Sequence, residues 1–524
     1  MKKVTSLLMV AAIAFGFAAC NSEDVPDVSK GTTYAGLIVS TDGGGTKTRA
    51  LTDTQEDDPG YEGEIALATL DLISTSDNKS WAPSSQGGEG FWQVGSTNNY
   101  TVDAWKTTVG THTMALILNK GSITSSIGTA AAQVYGPTTD AKADIAGLTA
   151  PAGFTMTSAT ASINVSANIT KEAANTGSDA SANVFIFEVE RVVAKGVVRK
   201  GAGLTGSSIA TQDTKGTISL SGATDLTFSA VNGATKTYLF GNNAGARELA
   251  VADPNQYVGF ESAIHSITPK KDPNDAKTAG LIRLGNISNG NALPTPGTNA
   301  DLGGYQAKAV NANGTELSAA NGIYFMENSG DVNTAAIGGD PKEYGFYRFA
   351  YAKIYATYTP NKIYQLVNTG DPSQGVVEVD YTDADQKADD GTFYKGETDH
   401  LLYVSKEAAA ASAIAPNQKA FTYNKGRCGY RALWNRQIKD DSTPNIVNNA
   451  STRRNNTYLL DINGFVGLGF PWDSSDPNDP NLPKKDTDTT TDPDDPNIEK
   501  QDTYMRVVAT VLKWNVVNRG VILE

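Results

Sequence analysis

Cys20 stands where a cysteine is made to be modified. It follows Phe17-Ala18-Ala19, small residues closing an apolar run from Val4 to Ala19 that Lys2 and Lys3 precede. The run is shorter than the ~20 residues needed to cross a bilayer, so it reads as a signal segment and not a transmembrane helix. In that setting the Cys20 thiol takes a diacylglycerol, becomes the new N-terminus and tethers the exported chain by its lipid. A second reactive place lies downstream, where Gly43-Gly44-Gly45 leads into Lys47-Thr48-Arg49-Ala50, a flexible and basic stretch open to proteolysis. Between the two, Thr33 to Thr41 is a short period-two strand with Ala35, Leu37 and Val39 on one face. Cutting between Arg49 and Ala50 would cut that strand away.

Chemistry performed by the chain itself finds little support. Asp42-Gly43-Gly44-Gly45-Thr46-Lys47-Thr48 looks like the first phosphate loop of actin-like sugar kinases, in which glycine amides cradle a phosphate. Such kinases need an α/β body with long helices, and no long 3.6-residue period runs through this chain. Nor is it a Walker loop, because Thr46 holds the place of the glycine before Lys47. His112, His265 and His400 are the only histidines, far apart and without the spacing of a zinc site. No Gly-x-Ser-x-Gly elbow sits in a strand-to-helix context. The run Asp486 to Asp495 is acidic but lacks the spacing and glycine of a calcium loop, so it reads as solvated. Cys428, beside Arg427, reads as a buried strand cysteine; with Cys20 acylated, no internal disulfide can form. The expectation is no catalytic residue, no cofactor and no metal: not an enzyme.

What must position the cut strand is a body of further strands. At 524 residues the chain exceeds one core, and two domains are expected. A net charge of −14 argues against nucleic acid and against docking on anionic head groups. Strand candidates succeed one another: Glu64 to Ser74, Thr111 to Asn119, Phe154 to Ile169, Gly216 to Leu220 and Thr237 to Phe240. Val184 to Val198 is apolar on both faces, the mark of a central strand. Aromatics crowd Tyr344 to Tyr358 at a spacing suited to cross-strand packing, and Tyr458, Leu460 and Ile462 share one face of Asn456 to Phe470. The alanine-rich Ser122 to Leu148 and Lys406 to Ile414 are the places for short helices. Trp472 to Asp502 is a low-complexity acidic loop. Thr503 to Glu524 returns to strand character, with Val511, Leu512, Trp514, Val516, Val517, Val521, Ile522 and Leu523 as its apolar set.

Several stretches, in their order, resemble the fimbrillins (type V pilins), lipoprotein-precursor subunits of bacterial surface fimbriae. They are Val189 to Lys195; Gly391-Thr392-Phe393-Tyr394-Lys395-Gly396 with Tyr403; Gly426-Arg427-Cys428-Gly429-Tyr430-Arg431, where Gly429 replaces the usual aromatic; Arg453-Arg454-Asn455-Asn456-Thr457-Tyr458 running on to Gly469-Phe470-Pro471; and Lys513-Trp514-Asn515-Val516-Val517. The resemblance implies a mainly β protein of two tandem β-sandwich, transthyretin-like domains with a few short helices in loops. The boundaries expected are 1–20 for the signal peptide, 21–49 for a propeptide, 50–245 for the N-terminal domain and 246–524 for the C-terminal domain, including acidic loop 472–502 and strand 503–524.

The resemblance also implies a mechanism. A precursor lipidated on Cys20 reaches the outer membrane, an arginine-specific protease cuts after Arg49, and the released first strand leaves a groove. A strand from another copy, here about Val511 to Glu524, fills it by β-strand addition. Such head-to-tail contacts do not close on themselves and give a filament. Expected partners are therefore other copies of the chain, accessory tip and anchor subunits, the protease, and host or bacterial surface ligands, with the mature form in extracellular fimbriae. The same residues also allow a tip or anchor subunit, or a surface lipoprotein binding glycans through exposed Trp81, Trp92 or Trp105.

Overall fold

Short apolar runs alternating with polar positions, separated by Gly, Asn and Asp, favour strands over helices throughout. The structure, a computed structural model, describes residues 32–40, 57–58, 66–95, 99–121, 123, 134–135, 153–177, 183–222, 225–231, 237–240, 308–309, 322–326, 351–434, 452, 454–471 and 505–514. Within them the protein is mainly β, and the two α-helices are short: α1 (Lys171–Thr176) and α2 (Lys406–Ala410). Each begins on a hydroxyl cap. Ala173 N–H donates to Thr170 Oγ1 and Ala408 N–H to Ser405 Oγ, satisfying amides a first turn leaves open. The expected alanine-rich helix over 122–148 lies almost wholly outside the described residues.

The N-terminal part is one curled sheet. Its strands are β1 (Thr32–Ser40), β2 (Leu70–Ser74), β3 (Lys79–Trp81), β4 (Phe91–Gln93), β5 (Asn99–Val102), β6 (Trp105–Thr108), β7 (Gly110–Leu118), β8 (Met156–Ser158), β9 (Ala161–Val165) and β10 (Val184–Arg191). They run in the order β3-β2-β7-β8-β10-β1-β5-β4, with β9 on β7 and β6 on β1. The two ends of this path meet: Phe91 N–H donates to Ala82 O and Ser84 N–H to Phe91 O. Inside lie Leu37, Val39, Leu70, Leu72, Met114, Leu116, Met156 and Val189, with Trp81 set edge-on to Trp105, centroids 5.5 Å apart.

The C-terminal part packs two sheets face to face. One has the order β15-β11-β18-β19, from β11 (Val193–Lys200), β15 (Gly322–Met326), β18 (Asn456–Phe465) and β19 (Met505–Trp514), with Asp57–Asp58 beside β19. The other joins β12 (Ser208–Ala210), β13 (Gly216–Ser219), β14 (Thr227–Val231), β16 (Tyr351–Pro360) and β17 (Arg427–Leu433). Trp434 sits between them, stacked on Phe325 at 5.5 Å and edge-on to Phe228 at 6.1 Å. A smaller five-stranded sheet is built from residues within 362–423. The apolar stretch 184–198, expected as one central strand, is central in two sheets. As β10 it lies between β8 and β1; past Val192 it continues as β11 between β15 and β18.

The chain therefore changes sheets between Arg191 and Val193, well before the expected boundary at 245, and the strands at 193–200 and 216–231 pair with the C-terminal half. Polar contacts seal the crossing. Asn455 N–H donates to Val193 O, and Arg191 donates from its backbone N and Nη1 to Asn455 Oδ1. Farther along, Arg199 forks onto Asp461 through Nε–Oδ1 at 2.8 Å and Nη2–Oδ2 at 2.9 Å, tying β11 to β18. Phe154 packs edge-on to Tyr324 at 4.9 Å, so the outer face of the first sheet also rests on the second part.

Candidate functional site

Among the described strands, β1 lies inside its sheet with partners on both sides. Gly36–Ser40 pair in parallel with Val184–Glu188 of β10 on one side. On the other side Ile38–Ser40 run antiparallel to β5, and Thr32–Ala35 antiparallel to β6. The strand thus separates β10 from β5 and β6, and its removal would open two backbone edges at once. Thr33, Ala35, Leu37 and Val39 are fully buried, the last three in the N-terminal core. The face predicted from their alternation is the one that enters the N-terminal core.

The opposite face is roofed by α1. Tyr34 packs with Ala104, Ile169 and Ala174, and the roof comes so close over Gly36 that a Cβ there would lie 2.4 Å from Ala174 O. Contacts under about 3.0 Å do not occur for real Cβ atoms, so glycine is the residue that fits beneath this roof. The N-terminal end of β1 is held by polar groups from the segment beside α1. Tyr34 N–H donates to Ile169 O at 3.1 Å, Ile169 N–H to Thr33 Oγ1 at 3.0 Å, and Gly36 N–H to Asn183 O at 2.8 Å. Buried Asn183 donates from Nδ2 to Tyr34 O and Ser166 O, both at 2.9 Å, and accepts at Oδ1 from Ser166 N–H at 2.8 Å. Thr101 Oγ1 donates to Leu37 O at 2.9 Å.

Asn183 clamps the strand to the segment at Ser166 that leads into α1, a role with no sequence signal beyond a polar residue before an apolar run. Replacing it with Ala leaves Tyr34 O and both Ser166 backbone groups short of partners, at about 1–3 kcal/mol for a buried unpaired group. Asn183→Ala is expected to lower the denaturation midpoint accordingly and to speed hydrogen exchange in β1 before other strands. Hydrogen exchange that changes uniformly over both parts would show the clamp to be global, not local.

The structure places the other sequence-derived residues unevenly. Cys20, Arg49 and Ala50 lie outside the described residues, as do Val516, Val517, Val521, Ile522 and Leu523. Val511, Leu512 and Trp514 lie on β19, where Val511 is paired with Tyr458, Leu512 with Thr457 and Trp514 with Asp58. The exposed-aromatic expectation fails at two positions, because Trp81 and Trp105 point inward from β3 and β6 and are buried at 7% and 6% exposure. Cys428 is fully buried with Sγ 3.5 Å from Tyr430 Oη. His112 Nε2 lies 2.9 Å from Thr108 O, far along the chain from His400 at a left-handed turn, φ 59°. Among the described residues no three His, Cys, Asp or Glu side chains gather as a metal site.

Residues 421–519 match the family model described as the major fimbrial subunit protein type IV, fimbrillin, C-terminal. That span contains β17, β18 and β19, together with the Arg453 to Tyr458 and Lys513 to Val517 stretches that carry the fimbrillin resemblance. Among solved structures, the chain is similar to a fimbrilin from Porphyromonas gingivalis, with 13% identity, coverage of 93% of this chain and 99% of that one, and a TM-score of 0.41. It is also similar to a candidate cell adhesion protein from Parabacteroides distasonis, at 11% identity, 92% and 99% coverage, and a TM-score of 0.40. A third is the tip fimbrial protein from Porphyromonas gingivalis with a C-terminal truncation, at 11% identity, 92% and 100% coverage, and a TM-score of 0.26. No curated protein matches the sequence.

Proposed function

We propose that this chain is a structural subunit of a cell-surface fimbrium that polymerises by protease-triggered strand exchange. The precursor would carry its lipid on Cys20 at the outer membrane. An arginine-specific protease would cut between Arg49 and Ala50, and mature copies would join head to tail in extracellular fimbriae, with accessory tip and anchor subunits at the ends. Adhesion to host or bacterial surfaces would result from the filament.

The observation that carries this reading is the position of β1. It lies in the middle of a sheet, buried on one face and roofed on the other, yet it belongs to the chain only through what precedes residue 50. Once Arg49–Ala50 is cut, noncovalent contacts alone hold it. Its loss would expose the edges of β10, β5 and β6, the template to which an extended strand adds. Buried apolar side chains at about 1.5–3 kcal/mol each, together with two rows of main-chain hydrogen bonds, would then hold a replacement for a long time. The ladder to β18 takes residues 505–513 of β19 within one copy. On this reading the part of the expected donor, about Val511 to Glu524, that is left for a second copy would be the stretch beyond that ladder.

The test uses precursor residues 21–524, treated with an arginine-specific protease and monitored on an unheated detergent gel. A ladder should appear only after cleavage and be absent for Arg49→Ala and for a chain ending at Asn515. Cleavage that yields only monomer would reject a polymerising shaft and leave a tip, anchor or glycan-binding surface protein.

A further inference from the structure

Resting on the strand-exchange reading, we infer that the replacement strand seats in one register: Gly520 of a second copy takes the place of Gly36, and Gly520–Glu524 runs parallel to β10. The groove itself imposes the requirement. Under Ala174 O only a residue without a Cβ fits, since a Cβ on Gly36 would come within 2.4 Å of that oxygen. The two next inward positions, Leu37 and Val39, are fully buried in the core, while Ile38 between them is half-buried on the outer face beside Ile186, itself 59% exposed. A strand suited to this half of the groove reads glycine, apolar, outward apolar, apolar, polar.

Between Thr503 and Glu524 there is one glycine, Gly520, and Val521-Ile522-Leu523-Glu524 comes directly after it. Set on Gly36-Leu37-Ile38-Val39-Ser40, every position agrees in kind, and the outward Ile is the same residue. Polarity is decided by the same comparison. In the reverse direction, with Gly520 still beneath α1, Arg519 would enter the Leu37 pocket and Asn518 would stand at Ile38. A slip by one residue would turn Val521 and Leu523 to the outer face and put a side chain against Ala174 O. Arg519 also sets the limit of the match. In the parallel register it falls at Ala35, which is fully buried, so the seated stretch begins at Gly520 and the preceding chain leaves the track of β1. The seated stretch then coincides with Gly36–Ser40, the part of β1 that pairs with β10.

Two measurements on precursor residues 21–524 test the register. Gly520→Val should leave the unfolding of the uncut precursor unchanged, because β1 still fills the groove, but slow ladder formation about tenfold or more after cleavage, by overpacking beneath α1. Independently, one batch carrying Ile522→Cys and another carrying Thr101→Cys are mixed, cut and mildly oxidised. Ile38 is paired with Thr101 in β5, so this mixture should give a disulfide-linked pair, and Val521→Cys in place of Ile522→Cys should not. A normal ladder with Gly520→Val, or cross-linking through position 521 and not 522, would overturn the register while leaving strand exchange intact. A ladder from the chain ending at Asn515 would instead overturn the strand-exchange reading on which the register rests.

Discussion

A chain made without residues 21–49 is expected not to persist as a stable monomer. Such a chain lacks β1 from synthesis onward, so β10 loses its partner along Val184–Glu188, and β5 and β6 lose theirs. Tyr34, Leu37 and Val39 vanish from buried sites, at about 1.5–3 kcal/mol each for the apolar transfer alone. The sum is comparable with the 5–15 kcal/mol that typically separates a folded domain from its unfolded state. Size-exclusion chromatography with thermal unfolding should therefore show aggregates, or oligomers filled by donated strands. The part built on β11, β16 and β18 should retain its own transition. A monodisperse monomer melting like the precursor would show that β1 contributes little, and the groove would lose its significance.

Leu37→Asp separates the precursor from its assembled product. Leu37 is fully buried in the N-terminal core, and a carboxylate there has no charge partner on β1. Several kcal/mol of destabilisation is expected for a buried, unpaired charge, even after part of it is relieved by protonation. The uncut precursor should unfold at lower denaturant and release its N-terminal strand more readily once Arg49–Ala50 is cut. The filament, however, should be indistinguishable from wild type in its resistance to heat and detergent, because under strand exchange residue 37 would depart with the propeptide. Filaments weakened by Leu37→Asp would mean that β1 stays in place, contrary to strand exchange.

The strand itself was legible before the fold. Ala35, Leu37 and Val39 alternate, and period two on a half-buried strand needs no tertiary information. The run from Val184 was legible as central for a similar reason, since apolar residues on both faces leave it nowhere to sit at a surface. Its division at Val192 was not, because the partners that split it, β1 at 36–40 and β18 at 456–465, lie far away in sequence. Roof helix α1 is not legible in the sequence either: six residues carry less than two turns of apolar period, and its stability comes from packing on β1. The demand for glycine at 36 depends on that roof, so it too was hidden. Exposure of Trp81 and Trp105 is an expectation that the fold overturns, because both point into the N-terminal core and meet there edge-on.

The passage of one stretch of backbone through two sheets also bears on mechanics. In a filament assembled in the proposed way, tension would enter each copy along the strand seated beside β10. It would pass through the peptide bonds at Val192 into β11, cross to β18 and leave along β19. Every noncovalent step on that route is a set of strands lying side by side: five paired positions at the groove, six between β11 and β18, and a ladder along most of β19. A pull along the fibre axis would load the groove joint in shear, since the seated strand would be drawn from its first residue and β10 from its last, but Val193 and Trp514 stand at the same end of the rows that join β11, β18 and β19, so that joint would be strained one row at a time. The fork of Arg199 on Asp461 lies across the middle joint of that route. Extension of single filaments should accordingly yield first across β11, β18 and β19 and not at the groove, with the small sheet at 362–423, off the route, left unstretched.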